Sequence, residues 1–256
     1  MIFYFSGTGN SFHAAKAAQE RFGDDIVEMA AALKDHEFQY SFGEKERAIF
    51  VFPVYFGGMP TVVKDFIAQL EISGGDPEIV GIATCGVSVQ GADSLFRSAF
   101  KKKGLKVRAF YDVKMPQNCI FYLKVPIREA ALMQLKRSND RIRDVLDSIV
   151  FNHRVTYDSG ILSKALSRIL IPVYKVTRGT SKFFADDLCD SCGLCAEICP
   201  AGVIDIQEGK PVWTEKKCIH CAGCINRCPQ QAIQYGKMSK RRNRYFHPDL
   251  KKKIKK

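Results

Sequence analysis

Eight cysteines fall between positions 189 and 228, and their spacing repeats. Cys189, Cys192, Cys195 and Cys199 are each followed 29 residues later by Cys218, Cys221, Cys224 and Cys228. Both runs read Cys-x-x-Cys-x-x-Cys-x-x-x-Cys-Pro, close on Pro200 and Pro229, and resume with an apolar pair, Val203-Ile204 and Ala232-Ile233. A duplicated unit with a pseudo-twofold axis is expected. Cys85 and Cys119, the remaining two of ten cysteines, stand alone. Thiols stay reduced in a cytoplasm, so clustering at such intervals points to metal rather than to disulfides. Zinc would need only two Cys-x-x-Cys pairs per ion at wider separation, and has no use for a third cysteine or a Cys-Pro ending. Three thiolates at intervals of three residues instead wrap one corner of a cubic iron–sulfur cluster.

The rest of the chain is ordinary globular material. Of its 256 residues 46% are hydrophobic and 26% charged, which excludes disorder, collagen and a disulfide mini-protein. No window is apolar for long enough to suggest a transmembrane helix. Met1 leads straight into Ile2-Phe3-Tyr4-Phe5 without the flanks of a signal peptide, so a cytoplasmic location is expected. The net charge of +12 is uneven: residues 1–150 carry +1, 151–182 carry +5, 183–236 carry −3 and 237–256 carry +9. A basic chain average that comes from a connector and a tail does not identify a nucleic-acid binder.

Residues 1–150 alternate short apolar runs with amphipathic stretches. Strands are expected at Ile2–Phe5, Ile26–Met29, Ala48–Phe52, Ile79–Ala83 and Val107–Phe110. Helices are expected at Ser11–Phe22, Thr61–Leu70, Ala92–Lys103 and about Ile127–Phe151. Strands this short and this continuously apolar belong to a parallel sheet covered on both faces. Their alternation with helices implies an α/β, doubly wound, five-stranded parallel sheet. Such sheets bind ligands outside the carboxyl ends of their strands, here the loops 6–11, 53–60 and 84–91. Residues 151–182 read as a basic amphipathic connector. In it Ile161, Leu162, Ala165, Leu166, Ile169, Leu170, Val173 and Tyr174 recur at helical spacing opposite Lys164, Arg168 and Lys175. That stripe is expected to pack one domain on the other, with a membrane surface as the alternative. Pro172 should bend or interrupt the helix.

Ser6-Gly7-Thr8-Gly9-Asn10-Ser11 follows the first strand and opens the first helix. Small residues let the backbone bend around an anion, and hydroxyls with helix-start N–H groups can donate to phosphate oxygens. The loop has no lysine or arginine, which suits a monophosphate better than a polyphosphate with magnesium. A P-loop would need Gly-Lys-Ser/Thr. A dinucleotide fingerprint would need glycine where Phe12 stands, although Glu28 lies at the right distance.

Two family resemblances follow from these motifs. Residues 183–236 resemble bacterial two-cluster ferredoxins, small α+β domains in which the fourth cysteine of each run ligates the other cluster. The resemblance implies two [4Fe–4S] clusters, one on Cys189, Cys192, Cys195 and Cys228, the other on Cys218, Cys221, Cys224 and Cys199. His220, inside the second run, is then a bystander. Loop 6–11 matches the FMN phosphate loop of flavodoxins, Ser/Thr-x-Thr-Gly-Asn-Ser/Thr, at all specified positions. By that resemblance Ser6, Gly7, Thr8, Gly9, Asn10 and Ser11 hold the FMN phosphate. Pro53, Val54, Tyr55, Phe56 and Gly57, with Thr84, Cys85 and Gly86, then surround the flavin ring. Tyr55 is the first candidate for stacking on it and Phe56 the second. Cys85 reads as a small buried thiol. The near-neutral charge of 1–150 departs from the strongly acidic free flavodoxins, and loop 84–91 has no aromatic residue to cover the second ring face.

The combination over residues 1–236 resembles the flavodoxin–ferredoxin fusion family (EFR-type ferredoxins) of anaerobic bacteria. The resemblance implies an electron carrier between larger redox enzymes, with redox protein partners of unknown identity. A flavin-dependent reductase of a small oxidant such as a quinone is the alternative. Lys240-Arg241-Arg242-Asn243-Arg244 and Lys251-Lys252-Lys253-Ile254-Lys255-Lys256 make the tail strongly basic. Such runs are usually solvated. The tail could also meet an anionic membrane surface or an acidic partner, or fold back on the acidic ferredoxin domain. Nucleic acid is not expected, because Tyr245 and Phe246 are the tail's only aromatic residues.

Overall fold

The fold is given by a computed structural model that describes residues 1–151, 157–214 and 217–252. Parts of the expected connector (152–156), of the ferredoxin domain (215–216) and of the tail (253–256) lie outside the described residues. The chain divides into two compact units. The first comprises Met1–Ser6, Asn10–Met115 and Leu135–Tyr174; the second comprises Gly7–Gly9, Pro116–Gln134 and the chain from Lys175 on.

All five expected strands form the central sheet of the first unit. They are β1 (Ile2–Tyr4), β2 (Ile26–Glu28), β4 (Arg47–Pro53), β6 (Glu78–Cys85) and β7 (Val107–Lys114), all parallel, in the order β2-β1-β4-β6-β7. With the short side pair β3 (Gln39–Phe42) and β5 (Glu71–Gly74) set aside, this is the 2-1-3-4-5 order of the flavodoxin-like fold. Side chains alternate across each strand, so β4 sends Ile49 and Val51 to one face and Phe50 and Phe52 to the other. The first face packs under α1 (Asn10–Phe22) and the C-terminal part of α5 (Arg128–Val150), with Ala14, Ala18, Ile142, Val145 and Ile149 in the same core.

The second face is aromatic. Phe50 lies 4.9 Å from Phe100 and 5.7 Å from Phe96. Both partners are fully buried on α4 (Ala92–Lys101), while Phe66 of α3 (Thr61–Gln69) is buried at 5.3 Å from Phe3. Gly81 in the middle of β6 is required here, since a Cβ would fall 2.5 Å from the Phe110 ring. Phe50→Ala should destabilise the unit by about 3–5 kcal/mol, measurable by chemical denaturation, because the ring's space cannot be refilled by its rigid neighbours.

The sequence pattern did not anticipate β3, β5 or α2 (Met29–Asp35), a single short helix closed by His36 in the left-handed region at φ 58°. The last helix touching this unit, α6 (Ile161–Thr177), runs through Pro172 without interruption. Its apolar stripe is not buried, which corrects the expectation that it packs as core. Ile161, Leu162, Leu166, Ile169 and Val173 are exposed, and the helix instead buries Ser167 and Tyr174.

The second unit is built from short pieces. Strand β8 (Phe183–Ala185) pairs antiparallel with β11 (Ile233–Tyr235), and β9 (Ile204–Gln207) with β10 (Lys210–Trp213). Helical turns α7 (Leu194–Glu197) and α8 (Gly223–Arg227) lie inside the two cysteine runs. The sequence repeat is also a backbone repeat. Left-handed residues occur in pairs 29 positions apart: Ser191 and His220, Gly193 and Ala222, Gly202 and Gln231. Only Gly193 and Gly202 adopt this region without a Cβ penalty, so the other four positions hold a conformation imposed by the loops around the cysteines.

Ile120, Phe121, Val125 and Ala131 share a core with Phe183, Ile225, Tyr235 and Tyr245. Buried Asn226 ties three segments of this unit together. Its amide donates to the Asn118 carbonyl at 3.1 Å, and its oxygen accepts from Tyr245 N–H at 3.0 Å. The described tail is not solvated, which corrects the commoner reading of such runs. Arg242 donates to the Ile120 carbonyl at 2.6 Å, Asn243 to that of Val125 at 3.1 Å, and Arg244 to that of Ile233 at 3.1 Å. The tail thus folds onto the ferredoxin unit, rather than standing free in solvent. No helix among the described residues is long and apolar enough to cross a membrane.

Candidate functional site

The eight clustered cysteines line two cavities in the second unit. One, of about 370 Å³, is lined by Cys189, Cys192, Cys195 and Cys228, with Cys224 at its edge. The other, of about 360 Å³, is lined by Cys199, Cys218, Cys221 and Cys224. Each cavity takes three cysteines from one run and the closing cysteine of the other. The Cys-Pro ending explains the exchange: after α7 and after α8 the chain turns away, and the last thiol leaves its own run.

The two cavities differ in their exposure. Cys192 is exposed on the first, whereas Cys221 is buried on the second, beneath Phe121, Ile198, Val203 and Trp213. Burial pushes the Cys218 thiol up to about 11 and Cys221 to about 12, and raises Cys224 further, with neighbouring sulfurs adding to the effect. Cys195 rises to about 11 for the same reasons. Four thiols so placed cannot ionise alone, and a polynuclear cation is what makes their thiolates favourable. The His220 N–H donates to the Cys218 sulfur at 3.2 Å, which adds a fixed dipole toward that negative charge. The His220 ring is buried against Phe121 at 5.0 Å, and desolvation lowers it to about 4, so it is neutral at pH 7. Cys85 and Cys119 lie outside both cavities. Burial pushes Cys85 up to about 12 and also raises Cys119, leaving both as unreactive thiols.

The loops expected at the strand ends are also in place. In the first unit Asn10 and Ser11 are buried at the start of α1, and Ser6 is half-buried before it. The Ser11 and Thr84 hydroxyls share a hydrogen bond at 2.7 Å, joining the first loop to the third. Val54 N–H donates to the Thr84 carbonyl at 2.9 Å, which adds the second loop. Pro53 closes β4, and Cys85 closes β6 beside half-buried Gly86. Tyr55 and Gly58 exchange two backbone hydrogen bonds of 3.0 Å around a tight turn, with Phe56 at φ 50° and Gly57 at φ 72°. Glycine is required at 57, where a Cβ would meet the Gln90 carbonyl oxygen at 2.1 Å.

Gly7, Thr8 and Gly9 group with the second unit. The Thr8 carbonyl accepts from His247 N–H at 2.7 Å, and its hydroxyl accepts from the Asn118 amide. A Cβ at Gly7 would fall 2.4 Å from the Cys221 carbonyl oxygen, and one at Gly9, φ 93°, would fall 2.8 Å from His247. Close packing therefore requires these glycines, in addition to any need to bend around an anion.

Helix α6 supplies two residues that sequence reasoning missed. The Ser167 hydroxyl accepts from Gly91 N–H at 2.8 Å and donates to the Gly57 carbonyl at 2.9 Å, so it clasps loops 53–60 and 84–91 together. Tyr174 stacks on Phe56 with ring centroids 5.2 Å apart. Phe56, the second stacking candidate, is thereby engaged by a protein ring. Tyr55 meets Phe5 edge-on at 6.4 Å. No sequence signal separated Ser167 and Tyr174 from the rest of an amphipathic helix.

Residues 188–233 match the family profile of the 4Fe-4S dicluster domain. The same region is similar to one subunit of the ion-translocating oxidoreductase complex of Methanosarcina acetivorans, at 39% identity over 46 residues. That match covers 18% of this chain and 17% of the relative, so this chain spans about a sixth of that protein's length. Among solved structures, the Trp repressor binding protein of Bacillus subtilis is similar with a TM-score of 0.37 and 14% identity. It covers 57% of this chain and 96% of its own. A short-chain flavodoxin associated with a bacterial microcompartment gives a TM-score of 0.31 and 15% identity, covering 56% and 95%. Scores this low carry no weight in the fold assignment, which rests on the strand order. The chain thus joins a flavodoxin-like α/β unit to a [4Fe–4S] ferredoxin domain.

Proposed function

We propose that this protein is a redox carrier that passes electrons between two [4Fe–4S] clusters and an FMN, working between larger enzymes. The observation that carries the reading is the sorting of eight cysteines into two cavities of four. When bound, a cubane cluster supplies one-electron exchange and a flavin one- or two-electron exchange. Cys189, Cys192, Cys195 and Cys228 would hold one cluster, and Cys199, Cys218, Cys221 and Cys224 the other. The exposure of Cys192 makes the first of these the entry or exit point for a protein partner. Phe121, Val203 and Trp213 exclude water from the second.

The flavin loops fit an uncharged, hydroxyl-based hold on a phosphate. Ser6, Thr8, Ser11 and the first amides of α1 would donate to it. Ser167 would keep Gly57 and Gly91 in register for main-chain contact with the ring, and Tyr55 is the candidate for stacking on it. Loops 53–60 and 84–91 offer Tyr55 and Cys85 as their only titratable side chains, and Cys85 stays protonated. A site without an acid–base pair suits electron transfer better than proton-coupled turnover of a substrate. Addition of NADH, NADPH or quinones to the anaerobic holo-protein should give no steady turnover. Sustained quinone reduction would replace the carrier with a flavin-dependent reductase.

A further inference from the structure

Helix α6 is turned inside out relative to an ordinary surface helix. Leu162, Leu166, Ile169, Val173 and Val176 recur at intervals of four and three residues, which sets them in one row along the helix. Every one of them is exposed, Leu162 and Val176 to 85% and Ile169 to 65%. The face that is buried is the one carrying Ser167 and Tyr174. The helix contains Lys164, Arg168 and Lys175 and no acidic residue. Arg168 and Lys175 are exposed on one flank of the row, while Lys164 is held by Asp158 at 2.9 Å.

Size and charge decide what covers this row. Seventeen residues make a helix roughly 25 Å long and about 10 Å wide, so the stripe offers roughly 250 Å². A stable protein–protein interface needs about 800 Å² from each partner. A second copy would also bring cation against cation. A bilayer imposes no requirement for shape, and its headgroups supply the opposite charge. We propose that α6 docks this protein, lying in the plane of the interface, on an anionic phospholipid membrane, with the aliphatic row inserted and Arg168 and Lys175 at the headgroups.

Anaerobic flotation of the full-length holo-protein with vesicles of phosphatidylcholine, with or without phosphatidylglycerol, tests this. Binding should require phosphatidylglycerol and weaken with salt. Ile169→Asp should weaken it by roughly ten-fold or more, and Arg168→Glu by about five-fold. Both side chains are exposed, so iron content and thermal transition should remain those of the parent, and Leu162→Asp repeats the test at a second exposed site. Absence of binding would overturn the proposal. So would binding that Ile169→Asp leaves intact, which would assign it to the tail. A dimer in light scattering that Ile169→Asp dissolves would also overturn it, by giving the row to a second copy.

Discussion

Cys228→Ser is expected to remove about four of about eight irons, and the cluster lost is the one on Cys189, Cys192 and Cys195, not the one on the run that Cys228 closes. Pairs of substitutions expose the exchange. Cys189→Ser with Cys228→Ser strikes one cavity twice, so about four irons should remain. Cys218→Ser with Cys228→Ser strikes both cavities, and iron should fall toward zero. If each run instead held its own cluster, the two outcomes would be reversed. The effect is large because three thiolates and a serine leave an iron corner weakly held, and because the cysteines also pack against the unit's core.

Removal of iron is expected to unfold the second unit and leave the first standing. The second unit has only two-stranded sheets, which are marginal in water by themselves. Its thiols are crowded and pushed above their usual range when no cation neutralises them. Metal binding is then a large part of its folding free energy. Trp213, the chain's single tryptophan, reports this directly. It stacks on Phe183 at 5.5 Å and lines the Cys199 cavity. Its emission should be weak in the holo-protein, then rise and shift to the red when a chelator strips the iron anaerobically. The first unit should keep a separate cooperative transition, because its five-stranded sheet is covered on both faces without any metal. Emission that ignores iron loss, or a single transition for the whole chain, would contradict this division.

The central strands were legible because parallel strands buried on both faces are continuously apolar, as in Ala48–Phe52. The pair β3 and β5 was not, since Gln39-Tyr40-Ser41-Phe42 and Glu71-Ile72-Ser73-Gly74 are polar and largely exposed. The sorting of the cysteines could be anticipated because spacing restricts which thiols can meet. Helix α6 was recognised as a helix, but periodicity reports only that two faces differ and not which of them is buried. The tail was misread for a similar reason. Arginine runs are usually solvated, and nothing local announces that Arg242 and Arg244 reach the carbonyls of Ile120 and Ile233. Asn118, Ser167 and Asn226 act through partners far away in sequence, which a single chain without its fold does not disclose.

Anaerobic purification followed by a count of iron, sulfide and FMN per chain bears most directly on the redox reading. About eight irons, about eight sulfides and one FMN are expected, matching two cavities of four thiols and one phosphate loop. Eight irons with no flavin, even after incubation with excess FMN, would contradict the role given to loops 6–11, 53–60 and 84–91 and leave a two-cluster ferredoxin with an attached docking domain.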